Sequence, residues 1–461
     1  MTLDARTACA RFLAQWTAPD TPPRIPSAEN AFWNQIPAME RGAAMDIISG
    51  ILRRRLTLDA VIRAVSRRPP EQLDPAVRSI LWVGAYQLLF SDHVADYAAV
   101  DSSVRLAAKL NISRAGGFIN AVLRSIQRLD PTVVVDAKPT ARSFPAGGQR
   151  WMNFNRNIFP SPTGQKNSYW AQATSIPEEL VADIFHAFGE RAARIFINAD
   201  MRPPVICRVN RPEILQRSER LRPHARSGWA VVEGGINGEI LAAIERGDLS
   251  PQDPTAGLPA NWIINALKTG GETAQRPREI LDLCAGRGTK TVQLALGGLR
   301  VAATDISTEK LELLSRREQF LQTGRIRILP ALPMPGPRFD AVLVDVPCSN
   351  TGVMARRPEV RWRIKRLNFS DLLHTQMTLL NRGADLAGNI LVYSTCSIFP
   401  GENQDMIRQF LAGECGKPWE LIKEEATLPV ADAESWHDGG YAAMLKRREP
   451  IHTFTDREIN K

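Results

Sequence analysis

Four short apolar runs, Glu279–Leu283, Arg300–Thr304, Asp340–Val344 and Asn389–Tyr393, alternate with helical stretches in the last part of the chain. Strands separated by helix-length connections pair in parallel, and each crossover helix covers a face of the sheet. The alternation therefore predicts, from about residue 275, an α/β domain with a parallel sheet wrapped by helices. Such a sheet binds ligands beyond the carboxyl ends of its strands, so the residues that follow each run bear most directly on function.

The whole chain has 461 residues, about three average domains. Residues 1–130 read as helices throughout, with breaks such as Pro69-Pro70 and Ser91-Asp92. Leu81, Ala85 and Leu88 fall on one helical stripe, and Val104, Ala107, Ala108 and Leu110 continue the habit, which predicts an all-α bundle. Residues 131–165, rich in Pro, Gly, Ser and Asn, suit a surface linker. Residues 166–250 mix helix with short extended runs and are expected to form a small α/β intermediate domain, and 449–461 a tail.

No run of eighteen apolar residues occurs, and charges interrupt the first sixteen residues, so neither a membrane span nor a secretory signal is expected and the cytoplasm is the expected location. The six cysteines are scattered, with no CxxC pair, which argues against a metal site and a disulfide framework. Lys plus Arg (58) exceed Asp plus Glu (49), and the net charge of +9 favours a polyanionic partner.

After the first run comes Asp282-Leu-Cys284-Ala285-Gly286-Arg287-Gly288-Thr289-Lys290-Thr291, and the second ends at Asp305. A glycine turn brings backbone amides close to a ligand, and an acid after the next strand accepts the hydroxyls of a ribose. Thr291 stands where a dinucleotide fingerprint has its third glycine, so the alternative for this architecture is S-adenosylmethionine, which has a ribose and no phosphates. After the third run come Asp345-Val346-Pro347-Cys348, and after the fourth Ser394-Thr395-Cys396, so two thiols and an acid sit at neighbouring strand ends. A thiolate beside a methyl donor suits methylation of cytosine. Its addition to carbon 6 makes carbon 5 nucleophilic, and an acid beside the base provides the proton or hydrogen bond at ring nitrogen 3 that lets the ring accept the charge.

These motifs, DLCAGRGTKT, DVPCSNTGVMARRPEVRWR and YSTCSIFPGENQDMI, resemble the three signatures of the Sun (Fmu) family of RNA cytosine-5 methyltransferases. HDGGYAAMLK is similar to that family's last strand region, and Gln252-Asp253 to its opening motif. VGAYQLLF and AAVDSSVRLAAKLNISRAGGFINAVLRSI resemble the NusB-like RNA-binding domain fused to the bacterial member that methylates 16S ribosomal RNA. The resemblance implies a multidomain protein, a NusB-like bundle followed by a Rossmann-like methyltransferase domain over residues 251–448, acting on 16S ribosomal RNA; a monomer is expected. It implies that Cys396 is the nucleophile and that Cys348 assists release of the methylated RNA. It further implies that Asp345 contacts cytosine or the cofactor amino group with help from Lys290, and that Asp305 and residues 284–290 hold the cofactor. The family's Ala-Pro-Gly-Gly-Lys is Gly286-Arg287-Gly288-Thr289-Lys290 here, and the acid usual after the third strand is absent from residues 326–337.

Arg356, Arg357, Arg361 and Arg363, with Trp362 among them, crowd a stretch whose single acid is Glu359. Cations for phosphates and an aromatic for stacking predict an RNA contact there, against the simpler reading of a solvated helix. Arg53-Arg54-Arg55 and Arg67-Arg68 carry a weaker version of the same signal. The rival reading for the whole chain is a catalytically weak or inactive RNA-binding or ribosome-assembly factor.

Overall fold

The computed structural model describes residues 3–18, 21–23, 25–26, 30–91, 94–268, 278–332, 339–432 and 434–449; the expected tail lies almost wholly outside them. The chain forms two compact units, Met1–Arg202 with Met354–Arg366, and Pro203–Val353 with Leu367–Lys461. Among the described residues no helix is long and apolar enough to cross a membrane.

The first unit begins with five long helices, Ala5–Ala14, Arg41–Val65, Pro75–Phe90, Asp96–Lys109 and Gly116–Gln127. Asp4 and Asp74 cap the first and third by accepting the backbone N–H groups of Thr7 and Ala76. The helix Pro75–Phe90 is central, so the single stripe expected for it is corrected: Ile80, Leu81, Trp82, Val83, Ala85 and Tyr86 bury it all round. Asp96–Lys109 buries Ala99, Val100, Ser103, Leu106 and Ala107, while Ala108 faces outward.

The stretch expected to be a linker holds an antiparallel sheet of Thr132–Val135, Arg150–Asn153 and Ser143–Gly147. Phe144, Trp151, Phe154 and Phe159 of this stretch are buried, so its Pro and Gly residues mark turns between short strands rather than a free tether. Nor is 166–250 one domain. Helices Lys166–Thr174, Glu178–Phe188 and Ala192–Asp200 belong to the first unit, whereas 203 onward belongs to the second.

The second unit contains a small antiparallel sheet, ordered Leu221–Pro223, Trp229–Val232, Val205–Val209, Leu249–Pro251. Its main element is a seven-stranded sheet, numbered here within that sheet: β1 Glu279–Asp282, β2 Arg300–Ala303, β3 Ile326–Ile328, β4 Phe339–Asp345, β5 Ala387–Thr395, β6 Trp419–Thr427 and β7 Gly440–Arg447. The order is β3-β2-β1-β4-β5-β7-β6. The expected parallel pairing holds from β3 to β5, and β7 runs antiparallel to both its neighbours. One face is covered by a core of Leu281, Val342, Val344, Leu380 and Ile407, and the other by one of Ile263, Leu294, Ala341 and Val392. Strand order reverses between β1 and β4, where loops leaving in opposite directions open a crevice for a ligand.

Candidate active site

The crevice is a cavity of about 1160 Å³. Cys284, Gly286, Lys290, Asp305, Asp345, Cys348 and Cys396 line it together.

The turn after β1 has Gly286 at φ 57° and Gly288 at φ 79°, left-handed backbone that favours glycine. A Cβ on Gly288 would stand 2.2 Å from Leu314 Cδ1, so this glycine also lets the turn pack on the helix Thr308–Leu321. Gly286 N–H donates to Asp305 Oδ2 at 2.8 Å, and Ser307 N–H donates to Oδ1 at 2.9 Å. Lys310 Nζ lies 3.6 Å from Oδ1. A carboxylate accepts about four hydrogen bonds, so two backbone donors leave capacity for the two hydroxyls of a ribose. Open space lies where a Cβ on Gly286 would be, and beyond Asp305 the lining carries the apolar Ile306, Leu311, Ile328 and Leu332 beside the polar Thr308, Lys310, Glu312 and Ser315. These residues fit an adenosine-type group.

Ala285, Arg287, Gly288 and Thr289 do not line the cavity. Ala285 N–H pairs with Thr304 O and Gly288 N–H with Ala285 O, so these two shape the turn. Thr289 opens the helix that follows, and Arg287 is exposed. Of residues 284–290, Cys284, Gly286 and Lys290 line the cavity.

At the end of β4, Asp345 is held from two sides, by Lys290 Nζ on Oδ2 at 2.6 Å and by Ser394 Oγ on Oδ1 at 2.7 Å. Burial disfavours the Lys290 ammonium, but the Asp345 carboxylate outweighs it, and the group stays protonated above its ordinary range. Below them, burial pushes the Asp282 carboxyl up to about 7, although Thr291 Oγ donates to it at 2.7 Å. Burial, and then the nearby Asp282, also raise the Cys284 thiol, so it persists as S–H.

The two remaining thiols meet. Cys348 Sγ lies 3.1 Å from Cys396 Sγ, and Cys396 N–H donates to Cys348 Sγ at 3.3 Å. The hydrogen bond to Cys396 and then burial raise the Cys348 thiol well above its ordinary value. Asn350, in left-handed backbone at φ 61°, places Oδ1 3.3 Å from Cys396 Sγ and donates Nδ2 to Cys348 O at 2.7 Å. The motif reading passed over Asn350, for which Ser-Asn-Thr-Gly as a turn was the available signal. It also passed over Glu402, which the GENQ stretch contains.

The basic stretch belongs elsewhere. Residues 354–366 are part of the first unit, where Arg361 and Trp362 are buried at 0% and 2% exposure. Arg361 donates to the carbonyls of Arg53, Thr174 and Ala199, and Trp362 Nε1 donates to Leu52 O at 2.8 Å. The expectation that these two contact RNA is therefore corrected. Their donors are spent on backbone carbonyls, which removes them from any surface. Arg53, Arg54 and Arg55 are buried as well, Arg54 paired with Asp200, which corrects the weaker signal there. Arg356 is partly exposed, and Arg357 and Arg363 reach the surface while pairing with Glu359. Among the described residues no cluster of His, Cys, Asp and Glu is built to hold a metal ion.

The family model for the 16S rRNA methyltransferase RsmB/F matches residues 272–435, and that of the NusB family matches residues 3–128. Protein MT1451 of Mycobacterium tuberculosis (strain CDC 1551 / Oshkosh) is 31% identical over 396 residues, covering 81% of this chain and 81% of its own. The ribosomal RNA small subunit methyltransferase B of Escherichia coli O6:K15:H31 is 27% identical over 436 residues, 88% of this chain and 91% of its own. The crystal structure of PH0851 shares the fold at a TM-score of 0.66 and 19% identity, covering 97% of this chain and all of that one.

Proposed function

Because the chain belongs to the RsmB/F family of 16S rRNA methyltransferases, with a NusB-family domain ahead of the catalytic one, we propose that it methylates carbon 5 of a cytosine in 16S ribosomal RNA through a covalent adduct with Cys396. The observation that carries this reading is the meeting of two thiols 3.1 Å apart in the cavity that Asp305 and the Asp345–Lys290 pair also line. S-Adenosylmethionine, held by Gly286, Asp305 and the apolar Ile306 and Leu332, supplies an electrophilic methyl group.

Cys396 as thiolate attacks carbon 6 of the cytosine, forming a sulfur–carbon bond and turning carbon 5 into an enamine carbon. Asp345 meets ring nitrogen 3 and relays to it a proton from the Lys290 ammonium bonded to Oδ2, which neutralises the charge that attack pushes onto the ring. After methylation the carbon 5 proton leaves to solvent water, the 5,6 double bond re-forms, the bond to Cys396 Sγ breaks and the proton on ring nitrogen 3 returns to Asp345. Cys348, protonated and in contact with Cys396, is placed to stabilise the departing thiolate by donating its S–H. The cytosine must leave its stack to reach the cavity, so an unpaired or loop nucleotide is the expected target.

Bisulfite sequencing of 16S ribosomal RNA from cells with and without the gene tests the reading. One cytosine should resist conversion only when the gene is present. Identical conversion in both strains would end this reading in favour of a non-catalytic RNA-binding or assembly role.

A further inference from the structure

Cys348 and Cys396 leave the sheet on separate loops, after β4 and β5, which direct hydrogen bonds also join, Gly352 N–H to Cys396 O at 2.9 Å and Ile398 N–H to Thr351 Oγ at 3.1 Å among them. Their thiols meet. A single buried carboxylate spans the two loops. Glu402, 1% exposed, accepts Ser349 N–H at 2.8 Å and Ser349 Oγ at 2.5 Å, and also the hydroxyl of Ser397. Ser349 follows Cys348 in the chain and Ser397 follows Cys396. A fourth donor is Gln376 Nε2 at 3.0 Å, and the same amide nitrogen donates to Pro347 O, on the other side of Cys348. The adjacent Asn403 completes the hold on the second loop, donating to Ser397 O at 3.0 Å and accepting from Thr395 Oγ at 2.6 Å. The residues on both sides of each cysteine are thus anchored to Glu402, Asn403 or Gln376.

Building on the assignment of Cys396 and Cys348 above, we infer that Glu402 is a positioning residue that sets the separation and aim of the two thiols. A buried carboxylate with four donors holds its geometry because every lost hydrogen bond leaves a polar group stranded. Covalent attack is sensitive to that geometry, since misplacing a nucleophile by about 1 Å costs on the order of a hundredfold in rate. Glu402 itself lies outside the cavity wall, so it acts through the loops.

The test is Glu402→Gln in the full chain. The carboxamide keeps the shape but presents an NH₂ to donors, so it cannot accept them all. We expect kcat to fall at least tenfold, with KM for ribosomal RNA and affinity for S-adenosylmethionine within twofold of the parent. A second readout needs no RNA. Diamide oxidises two adjacent thiols to a disulfide, and the two electrons and two protons reduce its N=N bond to the hydrazine. The Cys348–Cys396 disulfide, read by peptide mass, should form at least tenfold more slowly in the variant. Ser349→Ala and Ser397→Ala each remove one hydroxyl donor to Glu402 together with the Ser349–Ser397 hydrogen bond at 3.0 Å; they should show the same effects to a smaller degree, and they carry the test if Glu402→Gln does not fold. Unchanged kcat and unchanged disulfide rate in folded variants would overturn the inference. An inactive parent that still forms the disulfide quickly would instead count against the methylation reading, with the disulfide rate still deciding the role of Glu402.

Discussion

Cys348 Sγ and Cys396 Sγ stand 3.1 Å apart, one thiol raised well above its ordinary pKa by the other and by burial. Two groups this close are suited to opposite ends of one covalent cycle, so their loss should look different. Cys396→Ala should abolish both methyl transfer and the RNA adduct. Cys348→Ala should leave attack intact and slow release, so protein linked to methylated RNA accumulates as a slow band on a denaturing gel. An adduct that builds up in Cys396→Ala and not in Cys348→Ala would reverse the assignment.

Asp345→Asn should suppress turnover by two orders of magnitude or so, the range typical of a lost proton-transfer group. The amide still accepts one hydrogen bond but no longer balances Lys290. Single-turnover methylation of ribosomal RNA is the measurement, and a rate equal to that of the parent would take Asp345 out of the chemistry.

Asp305→Ala should weaken S-adenosylmethionine binding at least tenfold by titration calorimetry. It should also lower the melting temperature slightly, because Gly286 N–H and Ser307 N–H lose their acceptor. Equal affinities would remove Asp305 from the cofactor site.

Asp282 sets a pH dependence of stability. Its carboxyl holds a proton up to about pH 7 when folded and releases it near 3.8 when unfolded. The unfolded state therefore binds fewer protons between those values. This group's stabilising contribution is complete below pH 4, declines as pH rises to 7 and then stays low. Asp282→Asn should accordingly be more stable than the parent at pH 8, by on the order of a few kcal/mol, with the gap closing toward pH 4. Thermal melts of both proteins across that range check it, and a gap that does not change with pH would refute it.

Trp362 packs against Trp16 with ring centroids 5.3 Å apart and lies under the Arg55 guanidinium. Trp362→Ala should destabilise the first unit by about 3–5 kcal/mol while leaving the salt dependence of RNA affinity unchanged. Deleting residues 1–130 removes Trp16, Leu52 and Arg53, which hold the segment 354–366. The deletion should therefore impair catalysis as well as binding, contrary to what separable domains would predict. A truncated protein with the parent's kcat would disprove this.

Four of the seven strands of the central sheet, β1, β2, β4 and β5, and the chemistry at their ends were readable from local pattern, because short apolar runs and the residues after them are set by neighbours in the chain. Glu279–Leu283 matched β1 to within a residue, and Cys348, Cys396, Asp345 and Asp305 all reached one cavity. Burial of charge was not readable. Arg361 looks like any surface arginine until the carbonyls of Arg53, Thr174 and Ala199, far away in sequence, converge on it. The same holds for Glu402, whose four donors come from three separated segments. A run of cations states only that charge is present. Whether it faces phosphates or a buried cluster of carbonyls depends on long-range contacts that offset its desolvation, and those exist only once the chain has folded.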